Sequence, residues 1–162
     1  MTAITWLLWA AVVLAVTVLV AGQLGFLSGR APADLGVRDG MLKRPSKTPN
    51  SVSSQAALWQ EAAGSDATIE PLALRGDGMA TLTRIATAAA ALPGARVVEA
   101  RDDYLYVQFT TRFLNFVDDT EFWYDPVAKV VQVRSASRVG RKDFGVNRAR
   151  VEALRAALAA AP

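Results

Sequence analysis

The chain has 162 residues, with 18 Lys and Arg against 15 Asp and Glu, and neither His nor Cys. The missing residue types exclude a His-based triad, a cysteine nucleophile, a typical zinc site and lipid attachment through cysteine. A net charge of +3 with the two signs interspersed leaves no electrostatic footprint for nucleic acid, and with no glycine-rich phosphate loop there is no cofactor to expect.

No charged side chain precedes Arg30, and Ile4 to Leu27 are almost wholly apolar, interrupted only by Thr5, Thr17 and Gln23 among polar residues. A helix crosses the hydrocarbon core with about 20 such residues, so residues 1–28 are expected to be a single-pass anchor with 4–27 in the membrane. A secretory signal peptide is the competing reading, and small residues at Ala21 and Gly22 would suit its cleavage. Against it, MTAIT lacks the basic n-region, and the run exceeds the roughly 7 to 15 apolar residues such peptides use. Arg30, Arg38, Lys43, Arg44 and Lys47 all follow the segment. By the positive-inside rule they place the domain in the cytoplasm, although the same cluster could rest on anionic headgroups.

Residues 29–55 are rich in Gly, Pro, Ser, Thr and Asn without a sustained period, and are expected to be a linker and entry loop. Pro45 and Pro49 hold the residues before them extended. Residues 56–162 then have length for one domain with its own core. Ile69 to Leu74 is an extended piece and a candidate strand before Gly76 and Gly78 turn the chain. From Asp77, an available cap, Met79, Leu82, Ile85, Ala86, Ala89 and Leu92 recur at helical spacing until Pro93-Gly94. Four strands follow at Ala95 to Ala100, Tyr104 to Thr110, Thr120 to Asp125 and Val130 to Ser135, with turn chemistry at Asp102-Asp103 and Asp125-Pro126. A last helix is expected with Asn147 as N-cap, a staple between Val146 and Val151, and an edge of Val151, Leu154 and Leu158. The fold class is therefore α+β, a mainly antiparallel sheet of four to five strands with both helices on one face.

Strand alternation divides the sheet. If Leu105, Val107, Phe109, Phe122, Tyr124, Val131 and Val133 meet the helices, then Tyr104, Tyr106, Gln108, Glu121, Trp123, Gln132 and Arg134 face away. Closing the Pro126 to Lys129 hairpin with Asp125 opposite Val130 sets Trp123 against Gln132 and Glu121 against Arg134. Covering of the rings by the linker is favoured over a ligand site. Asp118, Asp119 and Glu121 are expected to be a solvated strand entrance, since they lack the spacing of a calcium loop. The segment from Arg134 to Arg148 carries Ser135, Ser137, Arg138 and Asn147 into the N-terminus of the last helix, a natural place for a phosphate or carboxylate. Internal pairing of Arg134, Arg138 and Arg148 with Asp118, Asp119, Glu121 or Asp143 is the preferred alternative.

The stretches LKRPSKTPNSVSSQ, PGARVVEA and DDTEFWYDPVAKVVQVRSASRVGRKDFGVNRARVEALR resemble the bacterial and plastid family catalogued as domain of unknown function number 1499, over roughly Gly36 to Leu158. The resemblance implies a small protein, often membrane-attached or exported, with no established activity. Many members resemble C-P-x-x-P-N-C-V-S-S in the entry loop. Here Pro45 and Ser51 stand at the two cysteine positions, while Asn50, Val52, Ser53 and Ser54 are retained. The cysteine pair implies an oxidising compartment for the family's domain and tips the expected location to the periplasmic side of the inner membrane, against the charge rule. A membrane-tethered envelope accessory domain is thus expected, binding an anionic ligand or an envelope protein through Arg134, Ser135, Ser137, Arg138, Asn147, Arg148, Trp123 and Glu121. A hydrolase or transferase using Asp119 and Glu121, and a purely structural interaction module, are the alternatives; the balance favours a non-enzyme.

Overall fold

The computed structural model describes residues 2–59 and 67–160. An uninterrupted apolar helix, α1 (Ala3–Gln23), opens the chain. After an irregular segment come β1 (Ser51–Ser53), a short 3-10 turn (Ala56–Leu58) and β2 (Leu72–Ala73). The helix α2 (Gly78–Ala90) precedes β3 (Ala95–Ala100), β4 (Tyr104–Thr110), β5 (Val117–Asp125) and β6 (Val130–Ser137), and α3 (Val146–Ala160) closes the fold.

The pairings between these strands are antiparallel, in the order β1-β6-β5-β4-β3, with β2 sharing the outer side of β6; Ser53 of β1 adds an isolated parallel bridge to Thr68. The sheet has six strands rather than four or five. The two-residue β2 falls within the extended piece Ile69 to Leu74 that supplies the fifth expected strand; the additional strand, β1, is three residues long, too short to show a period of two in sequence. Register in the long hairpin follows the turn. Asp125 Oδ1 accepts the Val127 and Ala128 amides, and Lys129 takes a left-handed φ of 55°. Asp125 then lies opposite Val130, Trp123 opposite Gln132 and Glu121 opposite Arg134.

One face of this sheet packs on α2 and α3. Leu82, Ile85 and Ala89 from α2 and Val151, Leu154 and Leu158 from α3 share a core with Leu105, Val107, Phe109, Phe122, Val131 and Val133, and with Val52, Ile69 and Leu72. The Asp77 carboxylate accepts the Ala80 amide at 2.7 Å and caps α2. Gly78 lets the first turn of α2 lie flat on Tyr124, where a Cβ would come within 2.3 Å of the ring.

The opposite face is covered by the chain's own entry segment. Leu42 is buried against Tyr104 and Tyr106, with Leu35, Val37 and Trp123 around them. The Leu42 amide donates to Gln55 Oε1, whose amide nitrogen donates to the Gly40 carbonyl. From Leu35 onward, the segment expected as linker and entry loop covers the rings and is one layer of the fold. No described part of the domain buries the central window of α1.

Candidate functional site

The sequence Asp118-Asp119-Thr120-Glu121 sends its side chains alternately to the two faces of β5. On the face beneath the entry segment, Arg138 holds Asp119 in a two-pronged pair, Nε to Oδ2 at 2.8 Å and the terminal nitrogen to Oδ1 at 2.7 Å. Tyr106 donates its hydroxyl to the same Oδ1 in a short hydrogen bond. Two residues along, Glu121 Oε1 accepts the Tyr104 hydroxyl at 2.9 Å and the Gly36 amide at 2.7 Å, while Oε2 meets Arg134 at 3.3 Å. On the helix face, Asp118 pairs with Arg150 at 2.7 Å. Arg150 lies 4.3 Å over the Phe109 ring and also donates to Asn147 Oδ1. Ser135 bridges Thr120 and Asn147 at 2.7 and 2.6 Å.

All six side chains of these three ion pairs are at most 9% exposed. The expected solvated entrance is thus corrected to a buried network. Charges removed from water persist where each meets an opposite charge and further hydrogen bonds, and the tyrosines, Gly36 and Arg150 supply them. Burial pushes the Glu121 carboxyl up against the lowering pull of Arg134, the Gly36 amide and Tyr104. Tyr104 and Tyr106 are pushed up first by burial and then by their carboxylate partners. The Arg138 guanidinium is raised chiefly by its hydrogen bonds to Asp119.

The turn into α3 is occupied in the same self-contained manner. The helix begins at Val146 rather than after Asn147. The Asp143 carboxylate accepts the Gly145 amide at 3.0 Å and the Asn147 amide at 2.9 Å. Its acidity reflects burial, which acts to raise the carboxyl, outweighed by these amides, which hold it below the usual carboxylate range. A protein carboxylate therefore fills the place expected for an external anion. Asn147, expected as the cap, points inward instead, donating to Ser137 Oγ at 3.0 Å and to the Asn50 carbonyl at 3.2 Å. Val146 stays 48% exposed while Val151 is fully buried, so the two differ in environment where a staple was expected.

The arginine–serine segment therefore gathers Arg134, Ser135, Ser137, Arg138 and Asn147 with Glu121, but as internal cross-links rather than as donors facing solvent. Trp123 is half-buried at the edge of the tyrosine cluster. Arg148 donates to the Thr68 carbonyl at 2.7 Å. Arg150, absent from the expected site residues, is the arginine that pairs with Asp118, and the signal was present in the sequence. Asn147, Val151, Leu154 and Leu158 form the buried stripe of α3, and position 150 lies on the flank of that stripe one turn from 147 and 154. Next to the network, a cleft of about 370 Å³ is lined by Pro49, Ser51, Val52, Lys142, Asp143, Phe144, Gly145 and Arg148. None of Asp119, Glu121, Arg134 and Arg138 lines it. Phe144 stands at its rim, 93% exposed, with a left-handed φ of 54°. Among the described residues no group of three or more acidic side chains is placed to hold a metal ion.

These features define a small α+β domain behind an apolar N-terminal helix, its polar groups locked across both faces of one sheet. A family model described as protein of unknown function (DUF1499) matches residues 41–158, and the chain belongs to that family. Searches of curated proteins and of solved structures return no match.

Proposed function

We propose that the chain is a membrane-anchored accessory domain of the cell envelope, one that holds a partner or an anionic group rather than turning over a substrate. The observation that carries this reading is the commitment of Asp119 and Glu121 to buried arginines and tyrosines. A general acid or base must reach the proton it transfers, and these carboxylates are closed off from the cleft. The cleft beside α3, with Lys142 and Phe144 at its edge, is the contact surface in this reading. The anchor is α1, 21 residues long, with a mean hydropathy of 2.5 over its most apolar 18 residues.

Support for the periplasmic side comes from the cysteine pair that the family resemblance implies for the entry loop. At the position where the family resemblance implies a disulfide, Ser51 Oγ accepts the Ser46 amide at 2.8 Å and closes the same loop without a covalent bond. A pair of reporters fused after Pro162 tests the location. A reporter active only outside the cytoplasm should signal, and a signal from the cytosolic reporter instead would defeat the envelope assignment. Cell fractionation tests the anchor: the full chain should stay with membranes after alkaline carbonate, whereas release of a shortened soluble chain would identify α1 as a cleaved signal.

A further inference from the structure

The C-terminal end of α1 is fastened to the domain. Gln23 Nε2 donates to the Phe113 carbonyl at 2.7 Å and approaches the Arg112 carbonyl at 3.4 Å. Gly22 is the buried residue of α1, and a Cβ there would stand 2.8 Å from Leu114 Cα. Both contacts are to the loop joining β4 to β5. That loop is closed on itself, with the Thr111 amide donating to the Phe116 carbonyl at 2.9 Å and the Phe116 amide to Thr111 Oγ1 at 3.0 Å. It presents Phe113 outward, 65% exposed, with the Arg112 guanidinium 5.5 Å over the ring. Leu24 and Phe26, just past α1, are 68% and 78% exposed.

Helix length fixes where these side chains stand. At about 1.5 Å per residue, α1 is roughly 30 Å long, which equals the hydrocarbon thickness and leaves no surplus turn. If α1 spans, Gln23 sits at the membrane–water boundary, and so does whatever it is bonded to. Exposed aromatic rings flanked by arginines are the chemistry of that boundary, rings at headgroup depth and guanidinium groups at the phosphates.

Resting on the anchor reading above, we propose that the β4–β5 loop is a second membrane contact, in which Phe113, Phe26 and Leu24 enter the bilayer interface beside α1 while Arg112 and Arg30 reach lipid phosphates. The occupant is the lipid surface itself. The contact is continuous with the helix, and it sets the height and tilt of the domain.

The absence of Cys makes the test direct. Single-cysteine variants Leu14→Cys, Phe113→Cys and Val127→Cys of the full chain are labelled with an environment-sensitive fluorophore and reconstituted into phosphatidylcholine–phosphatidylglycerol vesicles. Nitroxide quenchers are placed on the lipids either near the headgroup or near the chain ends. Val127 is the reference, being 92% exposed in the hairpin at the far end of β5, which puts it about 30 Å away at roughly 3.3 Å per residue. The label at 113 should lose most of its emission to the shallow quencher and little to the deep one, that at 14 the reverse, and that at 127 little to either. A label at 113 as unquenched as at 127, with 14 still quenched, overturns the loop contact and leaves the anchor standing. An unquenched label at 14 overturns the anchor and the loop contact together.

Discussion

Arg138 and Asp119 are the residues on which the two readings of the arginine–serine segment part. Were the arginine a ligand donor, its loss would leave a folded protein. Because Asp119 is 1% exposed and would be left buried without its counter-charge, Arg138→Ala should instead cost about 3–5 kcal/mol in urea unfolding. Lys142→Ala, at the exposed edge of the cleft, should stay within about 0.5 kcal/mol of the parent. Asp143 gives a pH signature. Its carboxyl is held below its unfolded value by the amides of Gly145 and Asn147, so the unfolded chain takes up the proton first as pH falls. The stability it contributes is present above the unfolded carboxyl pKa, near 4, and is lost on descent through the lower folded value. A pH series of urea melts should show a steeper acid decline for the parent than for Asp143→Asn.

Among the elements, α2 and the strands β3 and β4 were legible because length, period and punctuation agreed, from the Asp77 cap to the turn at Asp102-Asp103. The Glu121–Arg134 pairing was legible because a hairpin turn fixes every register position behind it. The burial of Asp118, Asp119 and Glu121 was not. Acidic residues at a strand start normally read as solvated, and the arginines that neutralise them come from three separate places in β6, the following loop and α3. That the entry segment covers the rings was legible from the apolar and aromatic set on that face; its path over them was not, since it packs as irregular chain and leaves no period. Two variants probe these elements. Gly78→Ala drives a Cβ into Tyr124 and should destabilise the fold by about 1–3 kcal/mol, the usual penalty for overpacking. Pro45→Cys with Ser51→Cys restores the cysteine pair, and the oxidised form should exceed the reduced by about 2 kcal/mol for so short a loop, read as a rise in Tm.

At the scale of the molecule, the anchor, the entry segment and the two-faced sheet form one sequence of attachments, from α1 through Gln23 to the β4–β5 loop and from Gly36 and Asn50 to β5 and α3. The last of these has a consequence for how the protein is made. Gly36 meets Glu121 across 85 residues, and Asn50 meets Asn147 across 97. The stretch that leaves the ribosome soonest after α1 therefore completes these two contacts only once β5 and α3 have been synthesised. Contacts so distant along the chain form late, after the local hairpins. Substitutions in residues 36–50 should accordingly speed unfolding while leaving the refolding rate nearly unchanged. A nascent chain halted before β6 would expose the tyrosine face bare, and such a truncated product should be degraded or captured by chaperones rather than accumulate.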